Sequence, residues 1–114
     1  MKEGITQAAL DYIEGWYQAD GTRMDRALHS RLAKRRITPT REVWEVNKEW
    51  MIKATSDGRG RIEDPQSGRK VVTILDMTET MASVKIVSEE FVDYVHLAQD
   101  GGKWVIVNVL WDYV

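Results

Sequence analysis

In the run "FVDYVHLAQ" (Phe91–Gln99) one carboxylic acid, Asp93, is set among residues that otherwise read as a buried strand. Alternation puts Phe91, Val95 and Leu97 on its face, with Asn108 or Leu110 opposite across an antiparallel ladder. A carboxyl in that company loses hydration, its pKa rises, and it can serve as general acid, general base or neutral donor. A structural role competes, in which an arginine, Asn108 or a backbone group satisfies Asp93 and no chemistry follows. His29, in "ALHSRLAKRR", is the second catalytic candidate, because histidine is the side chain most easily tuned near neutral pH. At the end of a short helix it serves equally well as a C-terminal cap, where positive charge is favoured. No metal centre is predicted. The two histidines are not at ligand spacing, no carboxylates cluster, and there is no cysteine. Phosphate-cradling glycine loops, a Ser–His–Asp order and a nucleophile elbow are absent, and no motif calls for a cofactor.

Candidate ligand-binding residues come from a second pattern. Tyr12, Trp16 and Tyr17 share a helical face, and Trp50 and Met51 fall on another helix-like stretch. Such stripes serve as plain core; where the core is incomplete they become the aromatic walls of a small-molecule site, suited to a flat apolar or aromatic ligand.

These residues need elements to position them. A chain of 114 residues, 43% apolar and 30% charged, predicts one soluble domain over 1–114. A net charge of −2 with signs interspersed argues against nucleic acid or an anionic membrane as partner. No apolar run is long enough to span a bilayer, and "MKEGITQAALDY" lacks the apolar core of a signal peptide. With no cysteine, the expected compartment is the cytoplasm. Helical spacing predicts a long first helix over about 6–19, ended at Asp20-Gly21, and a short second one begun by Thr22. A third is expected over about 39–54, with Pro39 in its first turn and Val43, Val46, Trp50 and Ala54 in one stripe. "TSDGRGRIEDPQSGRK" (55–70) reads as a loop, either mobile or a lid over a pocket. Four strands follow in two hairpins, the second turning at Asp100-Gly101-Gly102. The fold class is α+β, with three N-terminal helices on a curved antiparallel sheet.

"KWVIVNVLWDYV" (Lys103–Val114) is apolar on both faces of a strand. Strict alternation sorts Trp104, Ile106, Asn108, Leu110 and Asp112 with Asp93, and makes Asn108 part of the pocket floor. Val105, Val107, Val109, Trp111 and Tyr113 then join Tyr94 and His96 on the other face. A β-bulge would break this sorting. Helices cover one face only, so the second is expected to pack against a second copy in a homodimer.

"DYIEGWY", the "ALH" after the short helix, "VDYVHLA" and "GGKWVIVNVLW" resemble the nuclear-transport-factor-2-like superfamily, in its SnoaL-like and lumazine-binding branch. The resemblance covers most of the chain, with residues 37–70 weakly anchored. It implies a cone: helices and the concave sheet face enclose a pocket, and the convex face commonly dimerises. It also implies that an acidic residue at Asp93 works in the pocket. Two enzyme patterns of the superfamily are incomplete here. The strand carboxylate of ketosteroid-isomerase-like members is replaced by "LAKRRIT", and the arginine that epoxide-hydrolase-like members place two residues before the strand Asp is Phe91. The basic "KRR" either binds an anionic ligand group or lies as a solvated strand edge. The expected function is a pocket protein for a small molecule, with enzymatic activity around Asp93 left open. The alternative is a protein-interaction module using the exposed sheet face.

Overall fold

The computed structural model describes residues 1–114 throughout. Helix α1 (Lys2–Gln18) buries Ile5, Ala8, Ala9, Tyr12, Ile13 and Tyr17, the stripe that its three- and four-residue spacing predicts. It ends at Ala19, not at Gly21; Ala19 takes the left-handed conformation (φ 56°). Asp20, not Thr22, caps α2 (Gly21–Ala27), its carboxylate accepting from the N–H groups of Thr22 and Arg23 at 3.1 Å. The chain then enters β1 (Leu28–Ile37), an element outside the expected four strands.

The predicted helix over 39–54 is split. Val43–Val46 forms β2, paired antiparallel with β1, and α3 begins only at Lys48 and runs to Ser56. Three local effects override the helical spacing of the stripe. Pro39 sits inside the β1–β2 turn, where Arg41 N–H donates to Thr38 C=O at 2.8 Å, a position that suits its fixed φ. Val43 and Val46 are β-branched and flank an aromatic, favouring a pleated strand. Asn47 caps α3, its side chain accepting from Trp50 N–H at 2.9 Å, and so starts the helix at Lys48 and not at residue 39.

After α3 a loop containing a short 3-10 turn (Pro65–Ser67) leads to β3 (Lys70–Met77), β4 (Met81–Ser88), β5 (Phe91–Asp100) and β6 (Lys103–Tyr113). The sheet order is β2-β1-β6-β5-β4-β3. All neighbours are antiparallel except β1 and β6, which run parallel, so the sheet is not wholly antiparallel as expected. Three register shifts bend it: in β1 against β6, at Leu75 in β3, and at Val107 in β6. Three helices pack on the concave face, and the core lies between them and Val84, Ile86, Val95, Leu97, Ile106 and Val109. No helix is long and apolar enough to cross a membrane.

The shift at Val107 corrects the face assignment. His96 pairs with Asn108 and Leu97 with Ile106, leaving Val107 without a partner. Trp104 and Ile106 face inward as predicted, but beyond the bulge the parity inverts. Val109, Trp111 and Tyr113 join Asp93 and Phe91 on the concave side. Asn108, Leu110 and Asp112 join Val92, Tyr94 and His96 on the convex side. Val109 is buried within the chain itself, so it does not belong to a surface that a partner copy would cover.

Candidate functional site

The site is built where β1, β6 and β5 lie side by side. Register places Lys34 opposite Val109, and Trp111 opposite Asp93, so one concave patch holds a cation, an indole and a carboxyl from three adjacent strands. From above, α1 lowers Tyr12 into the patch. The Lys34 ammonium donates to the Tyr12 oxygen at 2.6 Å, and the Tyr12 hydroxyl donates to Asp93 Oδ1 at 3.3 Å. Asp93 is 2% exposed and Tyr12 3%. Burial raises the Asp93 pKa above the usual carboxylate range, opposed by the Lys34 charge and the Tyr12 hydrogen bond. Burial lowers that of Lys34, opposed by Asp93. Burial, with the charge of Asp93 beside it, raises that of Tyr12 well above its usual value. All three shifts favour neutral side chains, and the phenol links the two ionisable ends of the chain.

In front of Lys34 opens a cavity of about 350 Å³. Trp16, Trp44, Trp50, Phe91, Trp111 and Tyr113 form its walls, Met51 its back, and Lys34, Arg36 and Arg59 its charged lining, with Glu90 at the edge. Four of the five tryptophans of the chain meet here. Three indoles run edge to face, Trp50 to Trp44 at 5.2 Å and Trp44 to Trp111 at 5.7 Å between centroids. Phe91 and Tyr113 meet Trp111 from the other side, each at 5.2 Å. Cations sit on both ends of this array: Arg59 over Trp50 at 5.3 Å, Lys34 and Arg36 over Trp111 at 5.7 and 5.5 Å. Arg36 Nε also donates to Asp112 at 2.8 Å. The loop after α3 folds against α1. Ile62 N–H donates to Tyr17 C=O, Gly60 lies flat on the Trp16 ring where a Cβ would overlap it, and Arg59 is thereby presented to the cavity.

Such a cavity can hold a flat ring by stacking and edge contacts and can offer it charged donors. Among known proteins, the chain matches over residues 1–112 the model of a family described as "Putative lumazine-binding". The chain belongs to that family. Its fold is that of the NTF2-like proteins. An NTF2-like protein of unknown function from Silicibacter pomeroyi DSS-3 superposes with a TM-score of 0.84 at 12% identity, covering 99% of this chain and 95% of its own. One from Methylobacillus flagellatus KT gives 0.78 at 21% identity, with 99% and 91% covered. A third, from Shewanella baltica OS155, gives 0.77 at 18%, with 99% and 93% covered. No curated protein matches the chain.

Within this lumazine-binding family member, Trp16, Trp50 and Met51 lie on the cavity, while Tyr12 and Asp93 lie behind Lys34 and do not reach its open space. Asn108 is not a floor residue: the bulge turns it to the convex face, where its Nδ2 lies 3.4 Å from His96 Nδ1. His29 is not at the helix end or the rim. α2 stops at Ala27, and His29 sits at the far end of β1, its Nδ1 accepting from Arg31 N–H and its Nε2 3.4 Å from Asp100. Arg59, Trp44, Phe91, Trp111 and Tyr113 enter the site unannounced, whereas Lys34 and Arg36 belong to the "KRR" run for which contact with an anionic ligand group is one of the two expected roles. For Lys34 and Arg36 a signal exists, because they continue the alternation begun by Leu28 and Leu32. A further buried carboxylate, Asp11, is structural: it accepts from Gln7, Arg23 and Arg26 and ties α1 to α2.

Proposed function

We propose that this protein binds a small flat heteroaromatic molecule, of the pteridine type that the family's description names, in the cavity between α1, α3 and the β1–β6–β5 patch. The observation that carries the reading is the convergence of four tryptophans, Phe91 and Tyr113 on one opening, more aromatic surface than core packing needs to leave uncovered. Asp93, lacking direct access to the cavity, acts on a ligand only through Tyr12 and Lys34, so binding is the primary role. Titration with lumazine, followed by intrinsic fluorescence, tests it. Saturable quenching is expected, and Trp50→Ala and Trp111→Ala should each weaken binding about tenfold, on the scale of a buried aromatic contact. Trp104, buried outside the cavity, keeps its emission as an internal reference. Absence of saturable quenching by lumazine and by related flat rings would refute the reading.

The same proposal includes a homodimer through the convex face. After the inversion at Val107 that face presents Ile37, Tyr94 and Leu110, each about half exposed, around a shallow hollow with Val92. The protein is expected to scatter light as a dimer at micromolar concentration; a monomer would remove this part of the reading.

A further inference from the structure

The charges lining the cavity are unevenly partnered. Arg36 has Asp112 at 2.8 Å. Lys34 has no carboxylate within ion-pairing distance: its ammonium contacts the Tyr12 oxygen, Met51 Sδ at 3.6 Å and the face of Trp111, and reaches Asp93 only through Tyr12. The Arg59 guanidinium has neither ion pair nor hydrogen bond, only the face of Trp50. Glu90, the one carboxylate on the lining, is paired with neither. The cavity therefore holds three cations and one anion, in a molecule whose net charge is −2. With Arg36 paired to Asp112, the cations that face the cavity without a salt bridge are Lys34 and Arg59. Lys34 touches a phenol and a thioether and has Asp93 only one phenol away, so burial disfavours its charge; an anionic group entering the cavity would restore that charge and gain a charge-assisted hydrogen bond worth more there than at the surface. The Trp111 indole N–H, also buried, has no acceptor either.

We infer that the ligand of this cavity is an aromatic monoanion, a flat ring bearing a carboxylate or an equivalent acidic oxygen, whose negative group is received by Lys34 at the base and Arg59 at the rim. The inference rests on the binding reading above and adds the charge of the ligand to it. A phosphate is the poorer fit, since no glycine-rich loop presents backbone N–H groups to the cavity and the two free cations are single side chains from separate elements. Stacking on the indoles holds the ring; the ammonium selects its charge and sets its orientation, acid inward.

A matched pair of probes, 2-naphthoate and 2-naphthamide, separates the two claims, since they share shape and differ in charge. Calorimetric titration of the wild type should show naphthoate bound at least tenfold more tightly. Lys34→Met should cut naphthoate affinity about tenfold or more and leave naphthamide within twofold, as loss of one charge-assisted hydrogen bond dictates. Lys34 packs on buried groups, so the exposed Arg59 supplies a second variant that does not touch the core: Arg59→Gln should weaken naphthoate several-fold and spare naphthamide. Equal binding of both probes, unchanged in both variants, overturns the anionic assignment and leaves the aromatic site standing. Failure of both probes to bind overturns the two together.

Discussion

Tyr12 is the residue on which the buried polar chain turns. It accepts from Lys34 and donates to Asp93, so Tyr12→Phe removes two hydrogen bonds and strands an ammonium and a carboxyl in the core. A loss of about 2 kcal/mol is expected, lowering Tm by on the order of 8 °C in a calorimetric scan. Asp93→Asn is the contrasting case. Asn keeps an acceptor for Tyr12 and removes a carboxylate that burial makes costly. Because the folded pKa lies above the unfolded one, the native state binds the extra proton. Its contribution is complete below the unfolded pKa and is lost as pH rises through the folded pKa. Asp93→Asn should therefore melt at or a few degrees above the wild type at pH 8, the gap closing as the pH falls through the raised Asp93 pKa. Thermal melts across that range check it; a drop of several degrees at pH 8 would mean the ionised carboxylate is a structural anchor.

Among elements, β6 carries the sharpest consequence. Strict alternation makes Leu110 inward and Val109 outward, whereas the bulge at Val107 makes Val109 3% and Leu110 56% exposed. Val109→Asn should cost about 3 kcal/mol in urea unfolding, through lost burial and an unsatisfied amide. Leu110→Asn should stay within about 0.5 kcal/mol for the isolated subunit. The reverse order would restore regular pairing. The α1–α2 junction behaves oppositely to Asp93 with pH. Burial tends to raise the Asp11 pKa, but hydrogen bonds from Arg26, Arg23 and Gln7 prevail and hold it below the usual range. That contribution is present above the unfolded pKa and lost as pH falls through the folded one. Asp11→Asn is thus expected to flatten the acid limb of the stability curve, measured as Tm between neutral pH and about pH 3.

For the whole molecule, one aromatic cavity and one apolar convex face are presented on opposite sides of the same sheet. Leu110→Asp places a charge in the middle of the convex patch and is expected to give a folded monomer by light scattering, with lumazine quenching retained. Loss of quenching together with loss of the dimer would mean that the partner copy shapes the cavity.

Local interactions determined much of this in the sequence itself. The α1 stripe, the Gly101-Gly102 hairpin, whose two glycines take φ of 61° and 81°, and the inward position of Asp93 all follow from spacing within a few residues. The motifs that resemble the NTF2-like proteins likewise carried the layer order of helices on a curved sheet. Pairing between distant segments decided the rest. Val43–Val46 has helical spacing, but the Pro39 turn, its β-branched residues and the Asn47 cap make it a strand once β1 offers it a ladder, and of the two roles open to "KRR" the pairing of β6 alongside selects the one in which Lys34 and Arg36 line the cavity. The bulge at Val107 has no signature in the identity of one valine among several; it arises where β5 and β6 must bend together over the helices. One unpaired residue there moved Trp111 into the site and Asn108 out of it, since in a strand every side chain beyond such a point changes face.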